Sequence, residues 1–340
     1  MVNKKFWITL LVTVFVLGGI ILLYIFLPAV ANKSESSAVI KIPAGADSEM
    51  VRDSLSKYFG KKYADKVVMI ANLRKADYSK RHGAYMVDSG MSPWQAEAKL
   101  RAGGQYPFVV TVNASRGMKP LSEKISSKLD FKPDSLVELM KDAEFLKHYG
   151  LTPENSLALF IDDSYQVFWS FSPQEVAEKI GKHYQSVWTQ SRLDKAKALG
   201  LSPGEVIALA SIVGEETNKK DEKPLIARLY LNRLAKGMKL QADPTVRFAL
   251  DDFTIKRVRA NHLEIESPYN TYKIQGLPPG PIRTVTVADI DAVLDAPHHD
   301  YIYMCAKDDF SGYHSFAKDY STHLRNAHNY QKALSRRGIK

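Results

Sequence analysis

Glu205-Val206-Ile207-Ala208-Leu209-Ala210-Ser211-Ile212-Val213-Gly214-Glu215-Glu216-Thr217 decides how this chain is read. Leu209, Ile212, Val213 and Glu216 recur at i, i+3, i+4 and i+7, so they share one face of a helix. Glu216 therefore continues an apolar stripe. Glu215 lies about 100° round and extends the row of Ala208 and Ser211. The start is clean. Ser202 is a cap, Pro203 a first-turn residue and Glu205 the third position of a capping box. Gly214 interrupts the helical pattern just before the acidic pair. An acid ending an apolar stripe has two readings. Either it reaches water at the helix end, or it sits in a partly dry site, where its raised pKa lets it donate a proton near neutral pH.

Downstream, Asn218 to Lys223 is a charged run leading into Pro224. Leu225, Ile226, Leu229 and Leu231 suggest a second helix. It ends in Asn232-Arg233-Leu234-Ala235-Lys236-Gly237-Met238, where Gly237 suits a helix C-terminus. Leu240-Gln241-Ala242-Asp243-Pro244-Thr245-Val246 follows, then Ser267-Pro268-Tyr269-Asn270-Thr271-Tyr272 and Gly276-Leu277-Pro278-Pro279-Gly280-Pro281-Ile282. In this order the series resembles the endolytic murein (lytic) transglycosylases of the MltG/YceG-like family. That pattern reads S-I-V-E-K-E-T, N-R-L-x-x-G-M-x-L-Q-[ST]-D-P-T-V, then Y-N-T-Y-x-x-x-G-L-P-P-G-P-I. Here Gly214 stands where the family often has the first Glu, Glu215 stands at the Lys position, and Glu216 falls on the second Glu.

The resemblance implies an enzyme that cuts the β-1,4 bond between N-acetylmuramic acid and N-acetylglucosamine without water. One carboxyl, Glu216, protonates the leaving oxygen and then takes the proton from the muramyl C6 hydroxyl as a 1,6-anhydro ring closes. No second carboxylate is required, unlike the two-carboxylate glycosidases. Gln241, Asp243, Tyr269, Asn270 and His314 are the implied substrate-binding residues. Asp243-Pro244-Thr245 also reads as a turn or cap, and His314 as a structural histidine. No metal and no organic cofactor is implied. The implied partners are peptidoglycan glycan strands, the membrane, and penicillin-binding synthases with other elongation machinery.

At the amino terminus, Lys4 and Lys5 precede an uncharged run from Phe6 to about Leu27. About 22 residues suffice to span a bilayer as one helix. Trp7 and Tyr24 lie near its ends, and the lysines put the amino terminus in the cytoplasm. A cleaved signal peptide ending at Ala29-Val30-Ala31 is the rival reading, with a shorter apolar core than this one. The expected localisation is the inner membrane, single-pass, with the remainder extracytoplasmic. A net charge of +10 suits an anionic lipid surface or an anionic polymer. Export and the scattering of the basic residues argue against nucleic acid. Cys305 is the only cysteine, so no intramolecular disulfide forms. Its strand, Tyr301 to Ala306, reads as buried and the thiol as core packing.

The expected fold is α+β, in three parts: a cytoplasmic tip and transmembrane helix over 1–31, a small LysM-like subdomain over 32–108, and a mixed α+β catalytic domain over 109–340. In the second part Ala38 to Ile42 reads as a strand. Helices follow after Asp47 or Ser48, over Ala64 to Leu73, and after the Ser92-Pro93 start. The resemblance implies glycan contact there; packing and spacing is the alternative. A strand–turn–helix phrase returns from Val109 to Ile125. Single helices are expected over Ser135–Tyr149 and Ser172–Ala198, a shorter one over Pro153–Leu159, and another over Val287–Ala296. Asp162 and Asp163 mark a turn or supply a second carboxylate. Gly312 to Phe316 is the expected hairpin partner of the Cys305 strand, and Thr322-His323-Leu324 departs from the Glu-His-Asn of the family. Two rivals from other classes remain, a catalytically inactive peptidoglycan-binding scaffold anchored in the membrane, and a hydrolytic muramidase pairing Glu216 with Asp163 or Asp243.

Overall fold

The computed structural model describes residues 4–26 and 37–338. Its first element, α1 (Lys4–Phe26), has 23 residues. The side chains described there form an apolar stretch from Lys5 to Ile20. No single helix among the described residues is long and apolar enough to cross a membrane. The candidate cleavage site at Ala29-Val30-Ala31 lies outside the described residues.

The chain divides into two units, whose boundary falls at Val109–Val110, with Lys128–Asp130 and Gln166–Ser172 also belonging to the first. The first unit is built on an antiparallel pair, β1 (Ser37–Ile42) and β2 (Gly83–Asp88), in which Ile40 faces Tyr85. Between them run α2 (Ser48–Phe59), capped by the Asp47 carboxylate accepting from Met50 N at 2.8 Å, and α3 (Lys61–Leu73). Then comes α4 (Pro93–Ala102), started by a Ser92–Gln95 capping box and stopped by Gly103 in the left-handed conformation. Val51, Leu55, Val67 and Leu100 close the core over Ile40 and Ile42. Glu97 is fully buried and balanced by Arg74 at 2.6 Å and Arg101 at 3.1 Å.

The boundary runs through β3 (Pro107–Val112) and β4 (Asp163–Phe168). Between these strands lie α5 (Met118–Ser126), α6 (Pro133–Leu139) and α7 (Ala143–Lys147). The single helix expected over Ser135–Tyr149 is thus two. The Asp142 carboxylate accepts from Glu144 N and Phe145 N and restarts the chain as α7. Pro153–Leu159 is a 3₁₀ helix. The helix expected over Ser172–Ala198 likewise divides, into α8 (Pro173–Val187) and α9 (Gln190–Ala198), at Thr189, whose hydroxyl caps α9.

Next come α10 (Pro203–Glu216), α11 (Lys223–Ala235), α12 (Asp243–Ala249) and α13 (Val287–Leu294), then the antiparallel hairpin β5 (Tyr303–Ala306) and β6 (His314–Ala317), and finally α14 (Tyr320–Arg336). The helix α10 is the core of the second unit, packed against α11 and α13, with Gly204 and every residue from Val206 to Gly214 buried. It does not break at Gly214 but runs unbroken to Glu216. A glycine inside a helix costs about 1 kcal/mol, whereas each fully buried Leu, Ile or Val contributes about 1.5–3 kcal/mol. Val206, Ile207, Leu209, Ile212 and Val213, all at 0–1 % exposure, outweigh the break signal. The chain is a mixed α+β fold with three two-stranded sheets among the described residues.

Candidate active site

The last turn of α10 separates its two acids. The glycine at 214 leaves room for an arginine: a Cβ there would lie 2.0 Å from Arg283 Nη2. Arg283 pairs with Glu215 at 3.5 Å and with the buried Asp289 at 3.8 Å. Arg116 clamps Glu215 from the other side, Nε and Nη2 donating to Oε1 at 3.2 and 3.0 Å and Nη2 to Oε2 at 2.9 Å. Glu215 is thus held between two guanidiniums. Glu216 turns away into a separate cleft of about 270 Å³.

That cleft is lined by Glu216, Tyr230, Arg233, Gln241, Asp243, Arg247, Tyr272, Cys305 and His314, among others. The Tyr230 hydroxyl donates to Glu216 Oε1 at 2.7 Å. Burial raises the Glu216 carboxyl above its ordinary value. The Tyr230 hydrogen bond and the nearby His314 and Arg247 pull against that rise, and Asp243 adds to it. Burial and the neighbouring Glu216 push the Tyr230 hydroxyl well up, so it stays a donor. Asp243 begins α12, and its Oδ1 accepts from Tyr272 OH at 2.6 Å. Gln241 has φ +52, a left-handed conformation that costs a residue other than glycine about 1–2 kcal/mol. It persists because Gln241 N donates to Thr271 O at 3.1 Å and Ala242 N to Thr271 Oγ1 at 3.0 Å.

His314 opens β6. Its backbone N–H donates to Glu222 Oε1 at 2.6 Å, and its ring Nδ1 stands 3.1 Å from Glu222 Oε2. Glu222 is 2 % exposed. The paired carboxylate assigns the Nδ1 proton to the ring and leaves Nε2 as the other functional nitrogen.

Of the five substrate-binding expectations, Gln241, Asp243 and His314 meet around Glu216, and two do not. Asn270 is 0 % exposed. Its Nδ2 donates to Leu263 O and Ile265 O, and its Oδ1 accepts from Tyr272 N. The amide is fully committed to folding its own loop. Tyr269 packs on Phe248 at 4.7 Å between ring centres, donates to Glu154 O at 3.3 Å, and does not line the cleft. Within Tyr-Asn-Thr-Tyr only Tyr272 reaches the cleft. Asp162 is no second carboxylate for this site, since it accepts from Ala114 N at 2.9 Å and from the Thr284 hydroxyl. Asp163 is exposed at the start of β4. Cys305 is half-buried and lines the cleft, not the core as expected, because the whole hairpin strand is only partly covered. Burial pushes its thiol up, which keeps it un-ionised. Gly276 to Pro279 border another cavity of about 690 Å³. Gly280 passes so close to the Glu154 carbonyl that a Cβ would come within 2.5 Å.

Tyr230, Arg233, Arg247, Tyr272 and Glu222 were not singled out in the sequence. A signal for two of them was present: Ile226, Tyr230 and Arg233 fall at i, i+4 and i+7 on α11.

The sequence profile of the YceG-like family matches residues 40–329. The chain belongs to the YceG-like family. A relative from Bacillus subtilis, named endolytic murein transglycosylase, is 27 % identical over 297 residues, covering 83 % of this chain and 82 % of its own. A Streptococcus pneumoniae protein of the same name is 31 % identical over 134 residues, which is 38 % of this chain and 24 % of that protein. The crystal structure of a YceG-like protein from Listeria monocytogenes superposes with a TM-score of 0.56 at 24 % identity, over 86 % of this chain and 99 % of that one. It shares the fold.

Proposed function

We propose that this YceG-like chain is a murein transglycosylase that cleaves within glycan strands, with Glu216 as its acid and base. The observation that carries this reading is one carboxyl at the end of a buried helix, raised by burial and hydrogen-bonded by Tyr230, in a cleft shared with Gln241, Asp243, Tyr272 and His314. The names of the Bacillus and Streptococcus relatives supply the substrate class.

In the proposed reaction, protonated Glu216 gives its proton to the oxygen leaving C1 of the muramyl sugar. The C1–O4 bond breaks as the muramyl O6 closes on C1. The carboxylate then takes the O6 proton, so the enzyme returns to its starting state and no water is consumed. Holding O6 over C1 is a proximity effect able to supply several kcal/mol of the barrier. Gln241 and His314 hold the acetamido and hydroxyl groups of the sugars, and Tyr272 fixes Asp243. The chain acts outside the cytoplasm and is anchored by α1. The large side chains described from Phe6 to Ile20 of that helix are apolar and exposed around its circumference, Leu11 at 66 % and Phe15 at 84 %, as suits a lipid-facing helix. Synthases that extend the strand are the proposed partners, and termination of elongation is the proposed outcome.

A hydrolase reading draws on Asp243, a second carboxylate in the same cleft. Mass spectrometry of products separates the two. The full chain in detergent, incubated with uncrosslinked strands, should release 1,6-anhydromuramyl ends. Glu216→Gln should lose at least about 10²-fold in rate, the usual contribution of a general acid or base. Hydrated reducing ends would establish hydrolysis instead. Equal cleavage by both proteins would remove Glu216 from the chemistry.

A further inference from the structure

Two arginines line the Glu216 cleft, and they are differently committed. Arg233 is held by the protein: its Nε donates to Ile302 O at 2.7 Å, and its Nη1 donates to Leu240 O at 2.7 Å and Lys239 O at 3.2 Å. The guanidinium of Arg247, one helical turn after Asp243 on α12, makes no hydrogen bond and no ion pair with any described residue, and its Nε is sealed from water without an acceptor. The nearest candidate on its own helix, Asp243, is taken by Tyr272. A guanidinium has five donors in a rigid fork and cannot lose its charge, so leaving it unpaired in a partly dry cleft is unfavourable. The group that satisfies such a fork is a carboxylate, bound side-on through two parallel hydrogen bonds.

We propose that Arg247 is a specificity-determining residue that binds a carboxylate on the side arm of the glycan while Glu216 acts on the bond between sugars. This rests on the proposed action on murein. In such a strand only the muramyl sugar carries an acid-bearing arm, its lactyl ether. The lactyl carboxyl is free when the strand has lost its peptides. In intact strands it is amide-linked to a peptide that has carboxylates of its own. Arg247 follows directly after Asp243-Pro244-Thr245-Val246, at the edge of the motif.

The test measures binding by the full chain in detergent, in the Glu216→Gln background so that strands are not cut. Fluorescence anisotropy is followed with three labelled probes: strands bearing peptides, strands stripped of them to free lactyl carboxylates, and strands whose carboxyls have all been converted to primary amides. The parent should bind at least one acidic probe about tenfold more tightly than the amidated one, and whichever probe shows this identifies the source of the carboxylate. Adding Arg247→Gln or Arg247→Met should abolish that preference, and Arg247→Lys should restore part of it. Running both neutral variants, each checked by its melting curve, keeps the comparison valid should one fail to fold. A preference that survives loss of Arg247, a parent with no preference, or no binding of any strand would overturn the inference. Absence of anhydro ends from the wild type removes the proposed reaction and leaves this binding comparison intact.

Discussion

Glu216 and Glu215 are neighbours in sequence and opposites in circumstance. Glu215 lies between Arg116 and Arg283, which stabilise its charge. Glu216 has a hydroxyl as its hydrogen-bond partner and a raised pKa. Of the two, Glu216 is the one whose carboxyl burial raises above its ordinary value. The Tyr230 hydrogen bond favours the ionised carboxylate, so its removal raises the Glu216 pKa further. In the proposed reaction Glu216 acts as a protonated acid, so activity should be lost as pH rises through that pKa. Tyr230→Phe should therefore move the alkaline limb of the pH–rate profile to higher pH. A limb that stays put or moves down would show that Tyr230 does not tune this carboxyl.

At the scale of elements, the periodic apolar residues of α10 were legible, as were its Ser202 start and the β5–β6 hairpin. The breaks were read less well. Single helices were expected over Ser135–Tyr149 and Ser172–Ala198, but the side chains of Asp142 and Thr189 cap a new helix within each span. Gly214 misled in the other direction, because a glycine in a sequence does not reveal what fills the space of its missing side chain. Here it is the Arg283 guanidinium, 69 positions further along the chain, in the segment that leads into α13, which packs on α10. An exposed mid-helix glycine replaced by alanine gains about 1 kcal/mol. Gly214→Ala should instead lose about 1–3 kcal/mol, the usual cost of overpacking, measured by urea unfolding. A stabilised variant would mean that Arg283 moves aside at no cost.

At the scale of the whole molecule, the raised carboxyl ties stability to pH. The folded chain holds the Glu216 proton more tightly than the unfolded chain does. That contribution is complete below the ordinary carboxylate range and falls away as pH rises through the folded pKa. Glu216→Gln cannot ionise and escapes this loss. The variant should melt above the wild type at neutral pH, and the gap should close as pH drops below the ordinary carboxylate range. A gap independent of pH would mean that the burial of Glu216 is not what raises its pKa.

What the sequence by itself determined is local in origin. Period and capping chemistry defined α10, and an ordered series of short motifs pointed to the family and to Glu216, because both are carried by residues close together in the chain. The rest of the site was decided by tertiary structure. Tyr230, Tyr272, Arg247 and the Glu222–His314 pair come together from three elements and two positions outside them, 92 positions apart at the extremes. Whether a motif residue faces the cleft or its own loop is equally non-local. Asn270 and Tyr272 stand two positions apart in one motif, and only the packing of that loop on α12 buries the first and presents the second. Hydrogen bonds to a loop's own backbone leave no periodic signature, so they became visible only once the chain was folded.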